Sequence, residues 1–125
     1  MTTYKQVEAE MLKIVKAQPN FNYRKFREKQ LGGFSRALCA YIDEDGEGSC
    51  IWGRSLVNAG VPIEDIKQHE GEAISHVFEL MGINATEEQA RFAEFVQQYQ
   101  DSGMDFDSAL NAGLEDTGYE LVYTS

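Results

Sequence analysis

The sequence has little of what secreted, membrane-spanning or disordered proteins require. Only two of its 125 residues are cysteine and only two are proline. Cys39 and Cys50 lie eleven residues apart without a Cys-x-x-Cys pair, which is too little for a disulfide framework and fits a reducing cytosol. No signal-peptide pattern is present, and no apolar run approaches the ~20 residues that span a bilayer. We therefore predict a cytoplasmic protein.

The apolar content is that of a packed domain. Hydrophobic residues make up 42% of the chain, and fourteen residues are aromatic, which argues against disorder. A chain of this length can bury roughly two thirds of the surface of its unfolded state. The sequence therefore predicts a single globular domain over residues 1–125 that needs no metal or disulfide for its stability.

Basic residues are scarce in the second half of the chain. Residues 1–62 hold nine Lys or Arg and seven Asp or Glu, whereas residues 63–125 hold two against fourteen. The resulting charges of +2 and −12 give the formal net charge of −10. The electric field of this excess negative charge repels phosphates and anionic lipids, so we expect no binding of nucleic acid or membranes. A basic protein partner fits this field, but acidic helix surfaces that only confer solubility produce the same pattern.

Apolar periodicity and capping signals predict mostly helices. Helical patterns occur at residues 3–17, 50–59, 63–68, 70–81 and 87–101, and in a short final segment with Leu110 and Leu114. Ser49 and Asp107 are predicted N-caps, and Thr86 opens a capping box with Gln89. For residues 20–31 the pattern leaves a helix undecided, with Asn22 as its N-cap if it forms.

Two short segments alternate as β-strands do. Residues 36–43 place Leu38, Ala40 and Ile42 on one side, and residues 119–123 alternate in the same way. Because an isolated strand leaves its backbone groups unbonded, the two segments are expected to pair, most simply antiparallel. The predicted fold class is mainly α (α+β): a single-domain helical protein with a small two-stranded antiparallel sheet.

In the segment from Arg36 to Pro62, a predicted strand is followed by an acidic turn and then by a predicted helix. Several kinds of phosphate-binding site have the same order of elements. Residues 48–55 match the P-loop frame Gly-x4-Gly-Lys-Ser/Thr, except that Arg54 stands in place of Lys. The carboxylates of the turn, the single preceding strand and the exchange of Lys for Arg all oppose nucleotide binding. Gly48 and Gly53 are better explained as turn and close-packing positions, and we expect no cofactor.

The same turn partly matches a calcium loop. Asp43, Asp45 and Glu47 occupy its first, third and fifth positions, and Gly48 occupies the sixth. The twelfth position, normally a bidentate Glu, is Arg54, and a strand precedes the loop instead of a helix. We therefore interpret residues 43–48 as an exposed acidic turn and expect no metal.

Cys50 is the candidate nucleophile, because it lies near a predicted helix N-terminus. Its possible base partners are His69 and His76, but nothing in the sequence places either beside it. The two histidines with Cys39 and Cys50 could also supply four zinc ligands. However, the histidines are seven residues apart, roughly 10 Å along a helix, which is too far to share one ion. We predict no catalytic residue.

The one basic cluster is the segment from Arg24 to Lys29, flanked by Phe21 and Tyr23. Basic residues interleaved with aromatic ones can contact a nucleic-acid strand. The simpler prediction is that this cluster faces the acidic second half of the same molecule.

Three short motifs resemble a pattern in small proteins of actinobacteria and their bacteriophages. The motifs are Cys39-x-Tyr41, Gly48-Ser-Cys50-Ile-x-Gly53 and Leu56-x-x-x-Gly60-Val61, and they cover about a quarter of the chain. Trp52 and Arg54 depart from the small or His residues that are commoner in that pattern. The resemblance carries no activity or catalytic residue. It implies a bacterial or phage accessory protein, located in the host cytoplasm if a phage encodes it.

These observations predict a non-enzymatic protein that acts by protein–protein interaction, inhibiting or modulating a host factor. The predicted interaction residues are Asp43, Asp45, Glu47, Arg54, Glu87, Glu88 and Glu94. One alternative is a Cys- or metal-dependent enzyme or redox protein centred on Cys50. Another is a DNA mimic, in which carboxylates imitate phosphates.

Overall fold

A computed structural model describes residues 1–32 and 40–122 of the chain, and these residues fold into α-helices joined by short turns. The helices are α1 (Tyr4–Ala17), α2 (Tyr23–Gln30), α3 (Ile51–Asn58), α4 (Ile63–Lys67), α5 (Ile74–Leu80), α6 (Glu87–Asp101) and α7 (Phe106–Thr117). The prediction of a mainly helical protein is confirmed. Within the described ranges, every helix is too short or too polar to cross a bilayer.

The predicted two-stranded sheet is not seen in the described parts of its strands. Residues 40–43 form only an isolated antiparallel bridge between Ile42 and Gly48, and residues 119–122 contain no strand. The remaining residues of the two predicted strands, 36–39 and 123, lie outside the described residues. A side chain takes the place of the strand partner, because the Glu70 carboxylate accepts the N–H groups of Tyr41 and Ile42 at 2.8 and 2.9 Å.

Local capping signals set several helix starts, of which the capping box at Thr86 was predicted. Thr3 and Thr86 each form a capping box. The threonine hydroxyl accepts the backbone N–H of the third helical residue, a glutamine, and the side chain of that glutamine accepts the backbone N–H of the threonine. The Asn22 side chain caps α2, so the segment left undecided by its pattern is a helix. Each cap satisfies backbone donors that the first helical turn leaves unpaired.

Three predicted helix starts were wrong. Cys50, not Ser49, caps α3, with its Sγ accepting the Gly53 N–H at 3.4 Å. Asp105, not Asp107, caps α7 by accepting the Ser108 N–H at 2.9 Å. Helix α5 begins at Ile74 and not at residue 70, and the Gln97 side chain of α6 accepts the Ile74 N–H at 3.0 Å. A side chain from another helix therefore replaces the missing cap of α5.

Trp52 lies at the centre of the core and is fully buried. Its ring meets Phe78 of α5 and Phe92 of α6 edge-on, and its indole N–H donates to the Ala93 carbonyl at 3.0 Å. Helix α7 lies close against α6 because Gly113 has no side chain. A Cβ at that position would come within 2.7 Å of the Val96 side chain. The core thus joins α3, α5, α6 and α7.

Candidate functional site

The acidic turn of residues 43–47 is organised by its own hydrogen bonds. One carboxylate oxygen of Asp43 accepts the N–H groups of Asp45 and Glu47 at 2.9 and 3.1 Å. The Asp43 N–H donates to the Glu47 carbonyl at 2.9 Å, which closes the turn. Neither in this turn nor in the rest of the described residues do three His, Cys, Asp or Glu side chains come close enough together to hold a metal ion. The turn residues therefore form a hydrogen-bonded acidic loop.

Arg54 extends from α3 into a group of phenylalanine rings. Its Nε donates to the Ser49 carbonyl at 2.6 Å, and its Nη1 donates to Gln18 Oε1 at 3.1 Å. The guanidinium carbon lies 4.5 Å from the ring centre of Phe21, 5.6 Å from that of Phe106 and 5.9 Å from that of Phe26. Burial lowers the pKa of Arg54 below its usual value. The side chain is thus held by cation–π contacts and neutral acceptors.

The P-loop frame is occupied by internal contacts. The N–H of Ile51 donates to Gln100 Oε1 at 2.7 Å, and the N–H of Gly53 donates to Cys50 Sγ. A Cβ on Gly53 would lie 2.0 Å from the Tyr41 carbonyl oxygen, so this glycine permits close backbone packing. These two backbone donors, of the kind that a P-loop directs at phosphate, therefore already have protein partners.

A cavity of about 370 Å³ opens beside Arg54, and we call it the Arg54 cavity. Charged residues of both signs line it, namely Arg54, Asp43 and Glu47. Its apolar wall comprises Ile14, Ala17, Phe26 and Val57. Asp45, the third carboxylate predicted in this turn, is exposed and is not part of the cavity wall. The structure therefore brings together three of the seven predicted interaction residues.

The carboxylates predicted on α6 lie apart from that cavity. Glu87 and Glu88 are exposed in the first turn of α6 and line two further cavities. Glu94 accepts a hydrogen bond from the Ser75 hydroxyl at 2.7 Å and so links α6 to α5. The predicted interaction residues thus belong to two different surfaces.

Helix α6 carries a partly exposed aromatic stripe that the sequence analysis did not single out. Arg91, Phe95 and Tyr99, spaced four residues apart, form this Phe95 stripe. Arg91 lies 5.6 Å from the Phe95 ring centre, and the Phe95 and Tyr99 rings are 6.3 Å apart. The Tyr99 hydroxyl donates to Asp116 of α7, which raises the pKa of Tyr99. A second apolar series on α6, offset by one residue from the core series, is the signal that could have revealed the stripe.

Cys50 is fully buried, whereas the two histidines lie at the surface or in a groove. His76 pairs with Glu72 on the surface of α5. His69 lines a groove of about 700 Å³ together with Leu80 and Met81. Cys39, the other cysteine of the considered zinc set, lies outside the described residues.

The basic cluster lies on α2, which contacts α6 in the acidic second half, but its ion pairs with described residues are made elsewhere. Arg27, only 3% exposed, makes a two-point ion pair with Glu44 of the acidic turn at 2.8 and 3.0 Å. This pair lowers the pKa of Glu44. Arg24 pairs with Glu28 on its own helix at 3.2 Å and reaches α6 only through the Ser102 carbonyl. The described ion pairs of the cluster are therefore with Glu28 and Glu44, both in the first half of the chain.

Comparisons with known proteins identify no relative of this chain from which a function could be inferred. No protein-family model, curated protein or solved structure matches this chain. The functional argument therefore rests on the geometry of the chain itself.

Proposed function

We propose that the protein acts by binding a protein partner that carries basic side chains, and that this partner docks on the Phe95 stripe. The observation that carries the proposal is a partly exposed aromatic stripe bordered by carboxylates that pair with no cation among the described residues. The docking surface comprises the stripe with Glu87 and Glu88 near one end and Glu115 and Asp116 of α7 beside it.

Within the part of the chain that the structure describes, few cations neutralise the negative charge of this half. Between residues 63 and 122, Lys67 and Arg91 are the only Lys or Arg. Among contacts between described residues, Lys67 makes an ion pair with Glu64 at 3.8 Å, and His76 contacts the Glu72 carboxylate. Arg91 lies over an aromatic ring instead of a carboxylate. The uncompensated field attracts a basic surface and speeds its association.

The Phe95 stripe supplies what charge alone lacks, namely a defined place of contact. Phe95 is only partly buried and is not among the side chains that pack against the core. Aromatic side chains are enriched at the centres of protein interfaces, and their faces bind Lys and Arg. The Arg91–Phe95 contact is an intramolecular example of that recognition. A basic helix or loop of a partner makes the same contact and meets Glu88 or Asp116 beside it.

The resemblance to actinobacterial and phage proteins suggests where the partner is to be sought. We propose that it is a host factor whose activity the protein inhibits or modulates without catalysis. The experiment captures partners from an actinobacterial lysate, identifies them, and measures the affinity of each purified candidate by calorimetry at two salt concentrations.

A docking variant, Phe95→Ala with Glu88→Gln and Glu115→Gln, is compared with a control variant that removes two carboxylates elsewhere, Glu10→Gln with Asp45→Asn. We expect the docking variant to weaken binding at least tenfold and the control variant to change it less than threefold. Equal weakening by both variants would show non-specific charge attraction and contradict the proposal. Competition by duplex DNA for the same partner, with Phe95→Ala alone having no effect, would favour the DNA-mimic alternative instead.

A further inference from the structure

The Arg54 cavity is separate from the Phe95 stripe and has its own chemistry. Its volume of about 370 Å³ lies at the lower end of the range of small-molecule sites, roughly 300–1,000 Å³. Its wall combines apolar side chains with the polar side chains of Gln18 and Asn58 and with the three charged residues, so it can contact both polar and apolar parts of a ligand. The cavity is therefore large enough for a compact organic molecule.

The guanidinium of Arg54 has hydrogen-bonding capacity to spare. Its Nε and Nη1 donate to the Ser49 carbonyl and to Gln18, but its Nη2 donates to none of the described residues. In the same part of the chain, Arg54 forms no ion pair with a carboxylate. A guanidinium binds a carboxylate best through two parallel N–H groups. Arg54 can therefore accept an anionic group that enters the cavity.

The opposite charge is supplied by the acidic turn. Glu47 is exposed, and its side chain makes no hydrogen bond or ion pair with the described residues. Asp43 uses one carboxylate oxygen for the turn, whereas its other oxygen has only a long contact of 3.4 Å with Gln30. Both carboxylates line the cavity together with Arg54. A ligand ammonium group can therefore bind within the same cavity as a ligand carboxylate.

We propose that the Arg54 cavity binds a free α-amino acid with an aliphatic side chain. The α-carboxylate binds Arg54, the α-ammonium binds Glu47 and Asp43, and the side chain packs on Ile14, Val57 and the edge of Phe26. A ligand with only one charge leaves either Arg54 or the two carboxylates without a partner. A ligand without an apolar side chain leaves the apolar wall uncovered. This site goes beyond the proposed docking function and does not depend on it.

The test titrates the full-length protein with L-leucine, using calorimetry and the NMR signals of the Gly48 amide and the Arg54 Nε–H. Three analogues each remove one part of the ligand: 4-methylpentanoate lacks the ammonium, 3-methylbutylamine lacks the carboxylate, and glycine lacks the side chain. We expect saturable binding of L-leucine with shifts at Gly48 and Arg54, and at least tenfold weaker binding of each analogue.

The matched variants are Glu47→Gln and Asp45→Asn. Both change one exposed carboxylate of the same turn to an amide, but only Glu47 lines the cavity. We expect Glu47→Gln to weaken L-leucine binding at least fivefold and Asp45→Asn to leave it within twofold. Arg54→Lys, which keeps the charge but loses the paired donors, is a second variant and is expected to weaken binding by a similar factor.

Three results would overturn the proposal. The first is no saturable binding of L-leucine up to about 10 mM, which would mean a binding free energy weaker than about 3 kcal/mol. The others are equal binding by the singly charged analogues, or equal weakening by Glu47→Gln and Asp45→Asn. Because Phe95→Ala leaves this cavity unchanged, its effect on partner binding and the effect of Glu47→Gln on leucine binding are measured independently.

Discussion

The carboxylate of Glu8 accepts a hydrogen bond from the hydroxyl of Tyr119, which lies 111 positions later in the chain, at 2.7 Å. The same carboxylate, which is fully buried, also accepts the Tyr4 hydroxyl at 3.1 Å and the Val122 N–H at 2.8 Å. Burial next to this carboxylate raises the pKa of Tyr119 to about 12, so its hydroxyl stays protonated and continues to donate. Glu8 thus connects α1 to the segment that follows α7.

Glu8→Gln is predicted to destabilise the protein by about 2–3 kcal/mol. The substitution replaces one acceptor by an amide donor, which then faces the donors of Tyr119 or Val122 in a buried site. Urea unfolding at pH 7 measures the change. The control is Glu120→Gln, which alters an exposed carboxylate next to Tyr119 in the sequence. A Glu8→Gln variant as stable as Glu120→Gln would show that these hydrogen bonds contribute little.

Gly53→Ala is predicted to cost at least about 3 kcal/mol or to prevent folding. The added Cβ would lie 2.0 Å from the carbonyl oxygen of Tyr41, and neither backbone segment can move away without breaking contacts in the core. Gly46→Ala in the neighbouring turn is the matched control. Gly46 has φ +77° but open space around it, so only about 1 kcal/mol of backbone strain is expected. Thermal unfolding that ranks the two variants in the opposite order would contradict this packing argument.

Asp101→Asn is predicted to stabilise the protein at pH 7.5 but not at pH 3.5. Burial raises the pKa of Asp101 from 3.8 to about 6, so the folded state binds its proton more tightly than the unfolded state. The cost of the buried charge is absent below pH 3.8, grows as the pH rises towards 6 and is then constant. After allowance for partial solvent exposure, we expect a gain of about 1–2 kcal/mol at pH 7.5.

Urea unfolding of the wild type and Asp101→Asn at the two pH values provides this measurement. The amide introduced by the substitution retains an oxygen that accepts the Gln100 side-chain N–H, so the variant tests the charge and not the hydrogen bond. Asp45→Asn, at an exposed position, controls for the general loss of one carboxylate. The argument fails if Asp101→Asn changes stability equally at both pH values.

Phe95→Ala is predicted to change stability by less than about 1 kcal/mol, in contrast to Phe92→Ala, which should lose about 3–5 kcal/mol. Phe92 is fully buried, whereas Phe95 is only partly buried and is not packed on the core that the described residues form. Urea unfolding of both variants makes the comparison. A loss above about 2 kcal/mol for Phe95→Ala would assign the ring a structural role and weaken its proposed role in docking.

The helices could be predicted from the sequence where their signals are local. The capping box of Thr86 and Gln89 and the apolar series behind it set α6 correctly from its first residue to its last. Ser49 was mistaken for a cap because its hydroxyl contacts the Tyr23 hydroxyl at 3.2 Å, a partner 26 positions away. The strand expected up to residue 43 failed for a similar reason, because the Glu70 carboxylate accepts the backbone donors of Tyr41 and Ile42.

The candidate sites could be predicted only in part. The sequence singled out Asp43, Glu47 and Arg54 because a charged turn precedes a helix, and these residues do share a cavity. It could not place Phe21 and Phe106 around Arg54, because these rings come from chain segments 33 and 52 positions away on either side. The Phe95 stripe was missed because periodicity cannot distinguish a ring that faces the core from one that faces outward.

The Glu8–Tyr119 contact also has a consequence for synthesis on the ribosome. At about 5–20 residues per second, roughly 6–22 s separate the synthesis of Glu8 from that of Tyr119. During this interval α1 can form, but its carboxylate lacks two of the donors that satisfy it in the native core. Nascent chains that stop before residue 119 therefore cannot yet fasten their first helix to the segment after α7 through the Glu8 carboxylate.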